Sequence, residues 1–505
     1  MNTVSVWEKV SRPPAYPALT QDMQTDVLII GAGITSMTAG IELVKAGLKV
    51  TVVEALRAGD GTTGYSTGNL YIPVQPFYQH IRSKFDKEIA RSVAHSRKEA
   101  LDYIENTVKE YDINCHFSRR PDYIFVENRS QDFLEREFEA LKETGVAVEW
   151  VQNIPFPTKA KRSIHLPHQA RFNPKTYIDG LAKAFIALGG QLFEQTEIKS
   201  AEEKNGRCIA CTDRYSIVAR HMIMATHTPK GIHVMQMMAA PYRSYVVAAK
   251  LTDGKYPNGH FINADPNGYV ISTHAVRNKE LDMLMVAGEH HKTGQASHHD
   301  AEHYYQNIER YMRAHFPVEE ILHRWSAQHY QAADDIPYIG LANNHTKNFY
   351  VAGGYFADGL TYGTVAGRIL ADLIQGKNNP YAKTYNATRF TPLASVGKAI
   401  KENLNVLGEY LQDLPGHHDA ARFSSIQSGQ GGIVEVQGEK WAAYRDDKQK
   451  LHVVSAVCTH MKCIVQFNNA EKTWDCPCHG SRFGIDGNVL EGPAWEPLAQ
   501  QKDET

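Results

Sequence analysis

The first apolar run of the chain is Asp-Val-Leu-Ile-Ile at residues 26–30, and it ends at a glycine. A nearly continuous run of this length is typical of a parallel strand that is buried on both faces. A helical segment over residues 34–46 follows and ends at Gly47, and a second apolar run over residues 49–53 ends at Glu54. The pattern predicts a β-α-β unit near the start of the chain.

The remaining pattern divides the chain into three regions. Helical and strand-like segments alternate from about residue 80 to 345, including a predicted helix over 176–188 and a predicted strand over 221–225. Residues 379–420 are polar and contain one predicted helix over 396–411, which is typical of a linker. Short strand-like runs separated by turns fill residues 431–500. We therefore predict a body over residues 1–378, a linker over 379–420 and a small β domain over 421–505.

Composition narrows the classes of partner. The 505 residues are 42% hydrophobic and 22% charged, and their formal net charge of −2 provides no basic surface for nucleic acid. No apolar run reaches the ~20 residues that a membrane-spanning helix needs, and the N-terminus does not resemble a signal peptide. We expect a cytoplasmic protein that has no membrane span and binds no nucleic acid.

The seven cysteines are unevenly distributed. Cys115, Cys208 and Cys211 are scattered, whereas the other four lie between residues 458 and 478. In a reducing compartment such crowding predicts a metal centre rather than a disulfide framework. Cys208 and Cys211 have the spacing of a redox pair but lack the β-α-β context of a thiol oxidoreductase, so no catalytic role is expected for them.

The turn after the first strand is rich in glycine. Gly31 and Gly33 allow the backbone to approach a pyrophosphate, whose charge is met by free amides at the start of the following helix. Glu54 lies where a carboxylate would accept hydrogen bonds from a ribose hydroxyl. Ser36 replaces the third glycine of the usual fingerprint, and we expect slightly looser helix packing there. A tight turn without a ligand is the alternative.

Three further segments resemble the FAD-dependent D-amino-acid-oxidase and sarcosine-oxidase superfamily. They are Gly-Thr-Thr-Gly-Tyr-Ser-Thr-Gly-Asn at 61–69, Met-Ala-Thr-His at 224–227, and Val-Ala-Gly-Gly at 351–354 followed by Asp-Gly-Leu-Thr at 358–361. The resemblance covers residues 24–376. The family more often has glycine where this chain has His227. In the last segment, a helix N-terminus would stabilise the negative charge of reduced flavin.

This resemblance implies an α/β FAD-binding domain of the Rossmann-like, glutathione-reductase type, with an interleaved α+β substrate domain. FAD would be bound by parts at about 24–80, 165–235 and 330–376. The implied FAD-binding residues are Gly31, Gly33, Ser36, Glu54, Gly64, Ser66, Thr67, Thr226, Gly354, Gly359, Leu360 and Thr361. Residues 351–376 contain no cysteine of the kind that anchors flavin in some relatives, so FAD is expected to be bound without a covalent link.

The most specific pattern lies near the C-terminus. Cys458 and His460 are followed, after fifteen residues, by Cys476 and His479. Two thiolates can hold one iron and two imidazoles the other, with two ligands from each of two loops. Zinc is the alternative, because two cysteines and two histidines also suit that ion. The extra cysteines and the spacing resemble a Rieske [2Fe-2S] domain, which implies a C-terminal all-β fold.

The Rieske resemblance implies further roles around the cluster. Cys463 and Cys478 correspond to the disulfide that joins the two ligand loops in cytochrome-type Rieske proteins, and residues 492–494 resemble the proline loop that covers the cluster. Ser481 corresponds to a hydroxyl donor that raises the cluster potential, whereas Phe483 replaces the second donor, a tyrosine. Lys462 departs from the family, which usually has glycine there.

A flavin and a [2Fe-2S] cluster in one chain together imply conversion between two-electron and one-electron transfer. Flavin accepts two electrons and a [2Fe-2S] cluster passes one at a time, so we predict a dehydrogenase that oxidises a small amine or amino-acid-like substrate and exchanges electrons with a one-electron carrier protein. Arg243 and Tyr245 are the candidate catalytic residues, because a carboxylate-bearing substrate would require them. The histidines at 290 and 291 are expected at a strand-to-loop transition near the active site.

Other functions stay open. The cluster could be structural or regulatory in an FAD oxidase that uses O2, or the protein could transfer electrons without a small-molecule substrate of its own. A Rieske oxygenase is disfavoured, because the chain lacks the Asp-x-x-His-x4-His iron pattern. Val286 falls roughly where sarcosine oxidases place the lysine that promotes reaction with O2, so slow reoxidation by air is expected.

Overall fold

The computed structural model describes residues 4–9, 16–277, 281–295, 301–389 and 423–501. The predicted helix over 396–411 lies outside these residues. Among the helices of the described ranges, none has the length and apolar character of a membrane span. The α-helices are α1 Ile34–Lys45, α2 Tyr78–Lys84, α3 Lys87–Glu110, α4 Gln131–Glu143, α5 Pro174–Ala187, α6 Val234–Met237, α7 Ala301–His315, α8 Gly359–Ile374 and α9 Ala382–Tyr385.

The described residues contain the following strands, which form four sheets. They are β1 Met23–Ile30, β2 Val50–Val53, β3 Asn69–Leu70, β4 Ser118–Phe125, β5 Glu149–Val151, β6 Ser163–Arg171, β7 Gln191–Phe193, β8 Ser200–Lys204, β9 Arg207–Cys211, β10 Ser216–Met224, β11 Ala239–Leu251, β12 His260–Asn263, β13 Val270–Arg277, β14 Leu281–Lys292, β15 Val318–Ala332, β16 Tyr338–Leu341, β17 Phe349–Gly353, β18 Gly431–Val436, β19 Glu439–Arg445, β20 Leu451–Ser455, β21 Gln466–Asn468, β22 Thr473–Asp475, β23 Arg482–Gly484 and β24 Val489–Glu491.

The first sheet confirms the predicted β-α-β unit. Its strand order is β16-β17-β10-β1-β2-β7, with the β8–β9 hairpin attached to β10. Strands β17, β10, β1, β2 and β7 run parallel, and β1 is buried on both faces, as its unbroken apolar run requires. Helix α1 connects β1 to β2 and packs against α8 and α5.

The second sheet has nine strands in the order β15-β11-β14-β13-β12-β4-β6-β3, with β5 paired to β6. Side chains alternate between its two faces. On one face, here called the α7 face, Tyr245 and Val247 pack with residues of α7. On the other, here called the loop face, Val246 packs with Trp325, whose Nε1 donates to Tyr65 O at 2.9 Å in the segment 61–69.

Residues 423–501, here called the C-terminal domain, form two small antiparallel sheets, β18–β20 and β21–β24. Their apolar residues make a separate core that includes Trp474 and Phe483. The remainder of the described chain, residues 4–389, is called the body. The α/β class of the body and the all-β class of the C-terminal domain agree with the sequence predictions.

Candidate functional site

The turn between β1 and α1 packs closely against the end of β10. Gly31 has φ 99°, and a Cβ atom there would lie 2.7 Å from Ala225 O, so both conformation and space require glycine. Helix α1 begins after Gly33, which has no side chain to cap it, and its first turn contains no acidic residue; Thr63 Oγ1 accepts from Ile34 N at 3.2 Å. Uncapped amides at such an end favour an anion.

Helix α1 packs closely against α8 at Ile34 and Thr38. The glycines that allow this contact lie on the partner helix α8. A Cβ atom at Gly363 would lie 2.5 Å from Ile34 Cγ2, and one at Gly367 would lie 2.6 Å from Thr38 Cβ. Ser36 itself is buried in α1. Close approach thus depends on both helices, and the fingerprint describes only one of them.

Glu54 follows β2 beside this turn. Its Oε2 accepts from Ala32 N at 2.8 Å, and its Oε1 accepts from Leu56 N at 2.9 Å. Burial raises the pKa of Glu54, although both backbone hydrogen bonds oppose the rise. Each carboxylate oxygen has a second acceptor site, which could receive a ribose hydroxyl. Glu54 therefore fits the predicted role and also holds the glycine turn.

The segment 61–69 is fixed against the body. A Cβ atom at Gly64 would lie 2.4 Å from Gly59 O. Ser66 Oγ donates to Thr63 O at 2.8 Å, and Ser66 O accepts from Trp7 Nε1 at 2.7 Å. Thr67 follows in the same segment. These contacts hold in place the loop that the resemblance predicts to pack beside the flavin ring.

The ends of β10 and β17 complete the predicted FAD site. Thr226 Oγ1 donates to Thr228 O at 2.7 Å. His227 has φ 68°, a left-handed conformation that explains why glycine suits this position in the family. After β17, Gly354 also has a left-handed φ of 75°.

Helix α8 presents its first turn, residues 359–361, beyond this glycine. Asp358 precedes the helix without capping it. Its carboxylate accepts from Gln75 N at 3.3 Å and lies 3.6 Å from the buried Arg97 guanidinium. Leu360 and Thr361 are buried, and the first turn contains no acidic residue. The donor set of the two helix ends fits FAD.

The predicted cluster ligands lie together in the C-terminal domain. Cys458 and Cys476 are buried free thiols, and the hydrogen bond between them lowers the pKa of Cys458 to about 7. The rings of His460 and His479 lie 5.0 Å apart. Within the described part of the chain, the buried His479 Nδ1 has no hydrogen-bond partner. A buried nitrogen without a partner beside two thiols fits a metal ligand.

Residues around these ligands match the Rieske resemblance. Cys463 and Cys478 form a disulfide between the two loops. Ala494 N in the predicted proline loop donates to Ser481 Oγ at 3.2 Å, which leaves the Ser481 hydroxyl proton for the hydrogen bond to Cys458. Lys462 has φ 64°, so this non-glycine residue keeps the conformation that glycine normally provides.

The predicted catalytic pair lies on the α7 face. Arg243 is buried and ion-paired with Glu471 of the C-terminal domain, and the Tyr245 ring packs on Tyr305 of α7. The side chains of β11 that share the loop face are Tyr242 and Ser244, because successive residues point to opposite faces. Arg243 and Tyr245 thus lie on the α7 face of β11, and their catalytic role stays a prediction.

Val286 lies in the core on the α7 face, whereas Met283, Met285 and Ala287 of β14 lie on the loop face. The correspondence of Val286 to the lysine of sarcosine oxidases stays a prediction.

The loop face also carries polar residues, of which the sequence pattern had indicated only His290. Ser244 Oγ lies 2.6 Å from His290 Nδ1 and 3.2 Å from His329 Nδ1, and Gln331 Nε2 lies 3.3 Å from His329 Nε2. The alternation of side chains along β11 and β15 indicates which residues share a face. It brings these polar residues together only when the register of β11 with β14 and β15 is known.

The cluster loops dock directly on the body. His460 Nε2 donates to Gly231 O at 3.1 Å, and Gly231 N donates to Pro493 O at 2.9 Å. Tyr330 OH donates to His479 O at 3.3 Å. A ligand from each iron-binding loop therefore lies at the interface.

Comparison with known proteins agrees with this geometry. The family model described as FAD dependent oxidoreductase matches residues 26–373, and the Rieske [2Fe-2S] domain model matches 417–502. The chain belongs to the FAD dependent oxidoreductase family. It is an oxidoreductase whose body binds FAD and whose C-terminal domain binds a [2Fe-2S] cluster.

Relatives share one or both parts. The putative Rieske 2Fe-2S iron-sulfur protein YhfW of Bacillus subtilis is 32% identical over 502 residues, which cover 98% of this chain and 96% of that protein. Glycine oxidase from Geobacillus kaustophilus has TM-score 0.60 and 16% identity, covering 73% of this chain and 99% of its own. L-proline dehydrogenase from P. horikoshii has TM-score 0.58 and 17% identity, covering 73% and 98%. These two structures share the fold of the body.

The cysteine pair at 208 and 211 lies in β9. The Cys208 thiol is buried and donates to Asn348 O at 3.4 Å. Burial raises the pKa of Cys208 to about 12, which removes the thiolate that redox chemistry needs.

Proposed function

We propose that the body oxidises a small amine or amino-acid-like substrate and that the Rieske cluster exchanges the electrons, one at a time, with an external carrier protein. The observation that carries this proposal is the docking of both cluster ligand loops on the FAD-binding body through His460 and His479. Bound FAD supplies hydride acceptance, and the bound cluster supplies one-electron transfer. The glycine oxidase and L-proline dehydrogenase named above act on amino acids and support this substrate class.

Tyr330 positions the two sites relative to each other. Its backbone O accepts from Phe356 N at 2.9 Å, just after the glycines that follow β17, and its hydroxyl reaches the backbone of the cluster ligand His479. The Tyr330 ring packs edge-on against His227 at 4.9 Å. Tyr330 therefore joins the predicted flavin motif to the cluster loop through a single residue.

We further propose that the enzyme is a dehydrogenase. Met283, Met285 and Ala287 of β14 lie on the loop face and are apolar, so none of these three residues provides a cation to stabilise a superoxide-like transition state. A cytoplasmic location stays a prediction from the sequence.

An anaerobic screen of small amines and amino acids tests the proposal. A substrate should bleach the flavin absorbance and then produce the electron paramagnetic resonance signal of the reduced cluster. In Cys458→Ser the same substrate should bleach the flavin alone. Reduction of the flavin without any cluster signal in the wild-type protein would instead favour a structural or regulatory cluster. Oxidase-like reoxidation of the cluster-free variant by O2 in stopped flow would contradict the dehydrogenase assignment.

A further inference from the structure

A continuous chain of polar side chains crosses the loop face of the nine-stranded sheet. Gln331 of β15 contacts His329, His329 contacts Ser244 of β11, and Ser244 contacts His290 of β14, at 3.3, 3.2 and 2.6 Å. Ser244, His329 and their neighbour Trp325 are buried. Three adjacent strands therefore contribute to one hydrogen-bonded row.

The Gln331 end of this row opens on a cavity of about 560 Å³. Its wall includes Phe77, Asp335 and Phe356, which have left-handed φ values of 64°, 71° and 57°. Non-glycine residues in this region are strained, and such strain concentrates at functional sites. Phe356 also follows the glycines of the predicted flavin motif. The cavity therefore lies between the Gln331 end of the row and the chain segment that follows the predicted flavin motif.

The hydrogen bonds of this row can form with the donors pointing in either of two opposite directions. In one, the Gln331 amide donates to His329 Nε2, His329 Nδ1 donates to Ser244 Oγ, and the Ser244 hydroxyl donates to His290 Nδ1. In the other, each donor becomes an acceptor, and the Gln331 amide oxygen faces His329 Nε2. Only the proton positions and the amide orientation differ. A row with two such arrangements can pass a proton from one end to the other.

We propose that His290, Ser244, His329 and Gln331 form a proton pathway from the loop face of the sheet to the cavity. Oxidation of an amine to an imine breaks one C–H bond and one N–H bond, forms the C=N double bond, and releases two electrons and two protons. The electrons leave through the cluster one at a time, and the protons need a separate exit. In each transfer a proton binds His290 Nε2, the Nδ1 proton of His290 passes to Ser244 Oγ, and the Ser244 hydroxyl proton passes to His329 Nδ1. The Nε2 proton of His329 then leaves to water in the cavity when the Gln331 amide turns away from it.

The electrostatic environment of His290 favours transfer of a proton over its retention. Burial, together with His291, lowers the pKa of His290 to about 4, so the imidazole is neutral near pH 7 and does not retain a proton. The inference rests on the proposed function, since it requires that protons be released when the reduced protein is oxidised.

The first experiment measures proton release without a substrate. Photoreduced holoenzyme is mixed with ferricenium in weakly buffered solution containing a pH-indicator dye. In Ser244→Ala and His329→Ala, proton release should slow by about a hundredfold relative to wild type. Imidazole should restore His329→Ala. Ser272→Ala, a buried serine of the neighbouring strand β13, is the matched control and should release protons at the wild-type rate. Unchanged release in Ser244→Ala would overturn the pathway.

A second measurement tests whether the histidines of the row are coupled through Ser244. Hydrogen–deuterium exchange at the histidine C2 positions, followed by mass spectrometry, gives the titration of each imidazole in the resting protein. Ser244→Ala should shift the titration of both His290 and His329 and leave His315 of α7 unchanged. If the two imidazoles do not shift together, they are not joined through Ser244 and the pathway is wrong. Failure to find an amine substrate would contradict the proposed function and leave both of these measurements interpretable.

Discussion

The Arg243 guanidinium donates to both carboxylate oxygens of Glu471, each at 2.6 Å, across 228 residues of sequence. The pair joins β11 of the body to the C-terminal domain, and both side chains are at most 10% exposed. Ser326 and Arg482 also contact Glu471. Arg243 was predicted to bind a substrate carboxylate, but its guanidinium binds the Glu471 carboxylate of the protein itself. This ion pair fixes the C-terminal domain to the body.

Removing one partner of this pair should loosen the docked domain. Glu471→Gln leaves the buried Arg243 charge uncompensated, and breaking a buried pair typically costs about 3–5 kcal/mol. We expect a lower unfolding temperature and slower reduction of the cluster by the reduced flavin. The control is Lys250→Gln, which breaks an exposed pair with Glu319 and should leave the unfolding temperature nearly unchanged. Equal stability of the two variants would show that the interdomain pair does not hold the domain.

The cluster and FAD should be lost independently. Cys458→Ser and His460→Ala remove ligands from a domain that has its own core, so iron should fall from about two per chain to none while FAD stays bound. Iron analysis and visible spectra check this. Cys208→Ala, a buried cysteine in the body, is the control and should keep both cofactors. Loss of FAD together with iron would show that the two cores are coupled.

Ser481 should set the potential of the cluster. Its hydroxyl bonds Cys458, and a hydrogen bond to a cluster ligand stabilises the extra negative charge of the reduced state. Ser481→Ala should lower the potential by tens of millivolts within the Rieske range of about −150 to +300 mV. Phe483→Tyr should raise it. Voltammetry measures both, with Ser455→Ala as a control in the same domain. A wild-type potential in Ser481→Ala would remove the basis of this prediction.

Glu491 should make the interdomain contact sensitive to acid. Burial alone would raise its pKa, but the hydrogen bond from His227 and the charge of Arg482 lower the pKa of Glu491 to about 2. A pKa below the usual 4.5 contributes stability above pH 4.5, and this is lost as the pH falls towards about 2. Thermal unfolding between pH 7 and 3 should show this loss in the wild type and a smaller one in Glu491→Gln. Parallel curves would contradict the assignment.

FAD should leave the protein when it unfolds. The segment 351–376 at the C-terminal flavin motif contains no cysteine, so the flavin has no thioether anchor there. After acid precipitation we expect a yellow supernatant and a colourless pellet. A yellow pellet would show a covalent bond elsewhere in the chain.

Features that depend on residues close together in the sequence could be predicted from the sequence. Gly31 is required by its own left-handed φ, and the cluster ligands lie on two short loops with fixed spacing. Likewise, His227 and Lys462 stand where the families place glycine, and both keep the left-handed backbone. Such features survive in the sequence because a backbone conformation or a ligand pair depends on residues only a few positions apart.

Tertiary structure alone decided which face of β11 meets which neighbour. Strand alternation predicts that Arg243 and Ser244 point in opposite directions, but it does not say which face the C-terminal domain covers. That choice depends on the pairing of β11 with β15 and on Glu471, which lies 228 residues from Arg243. The row from Gln331 to His290 has the same origin, since its members come from three strands whose register is set by packing.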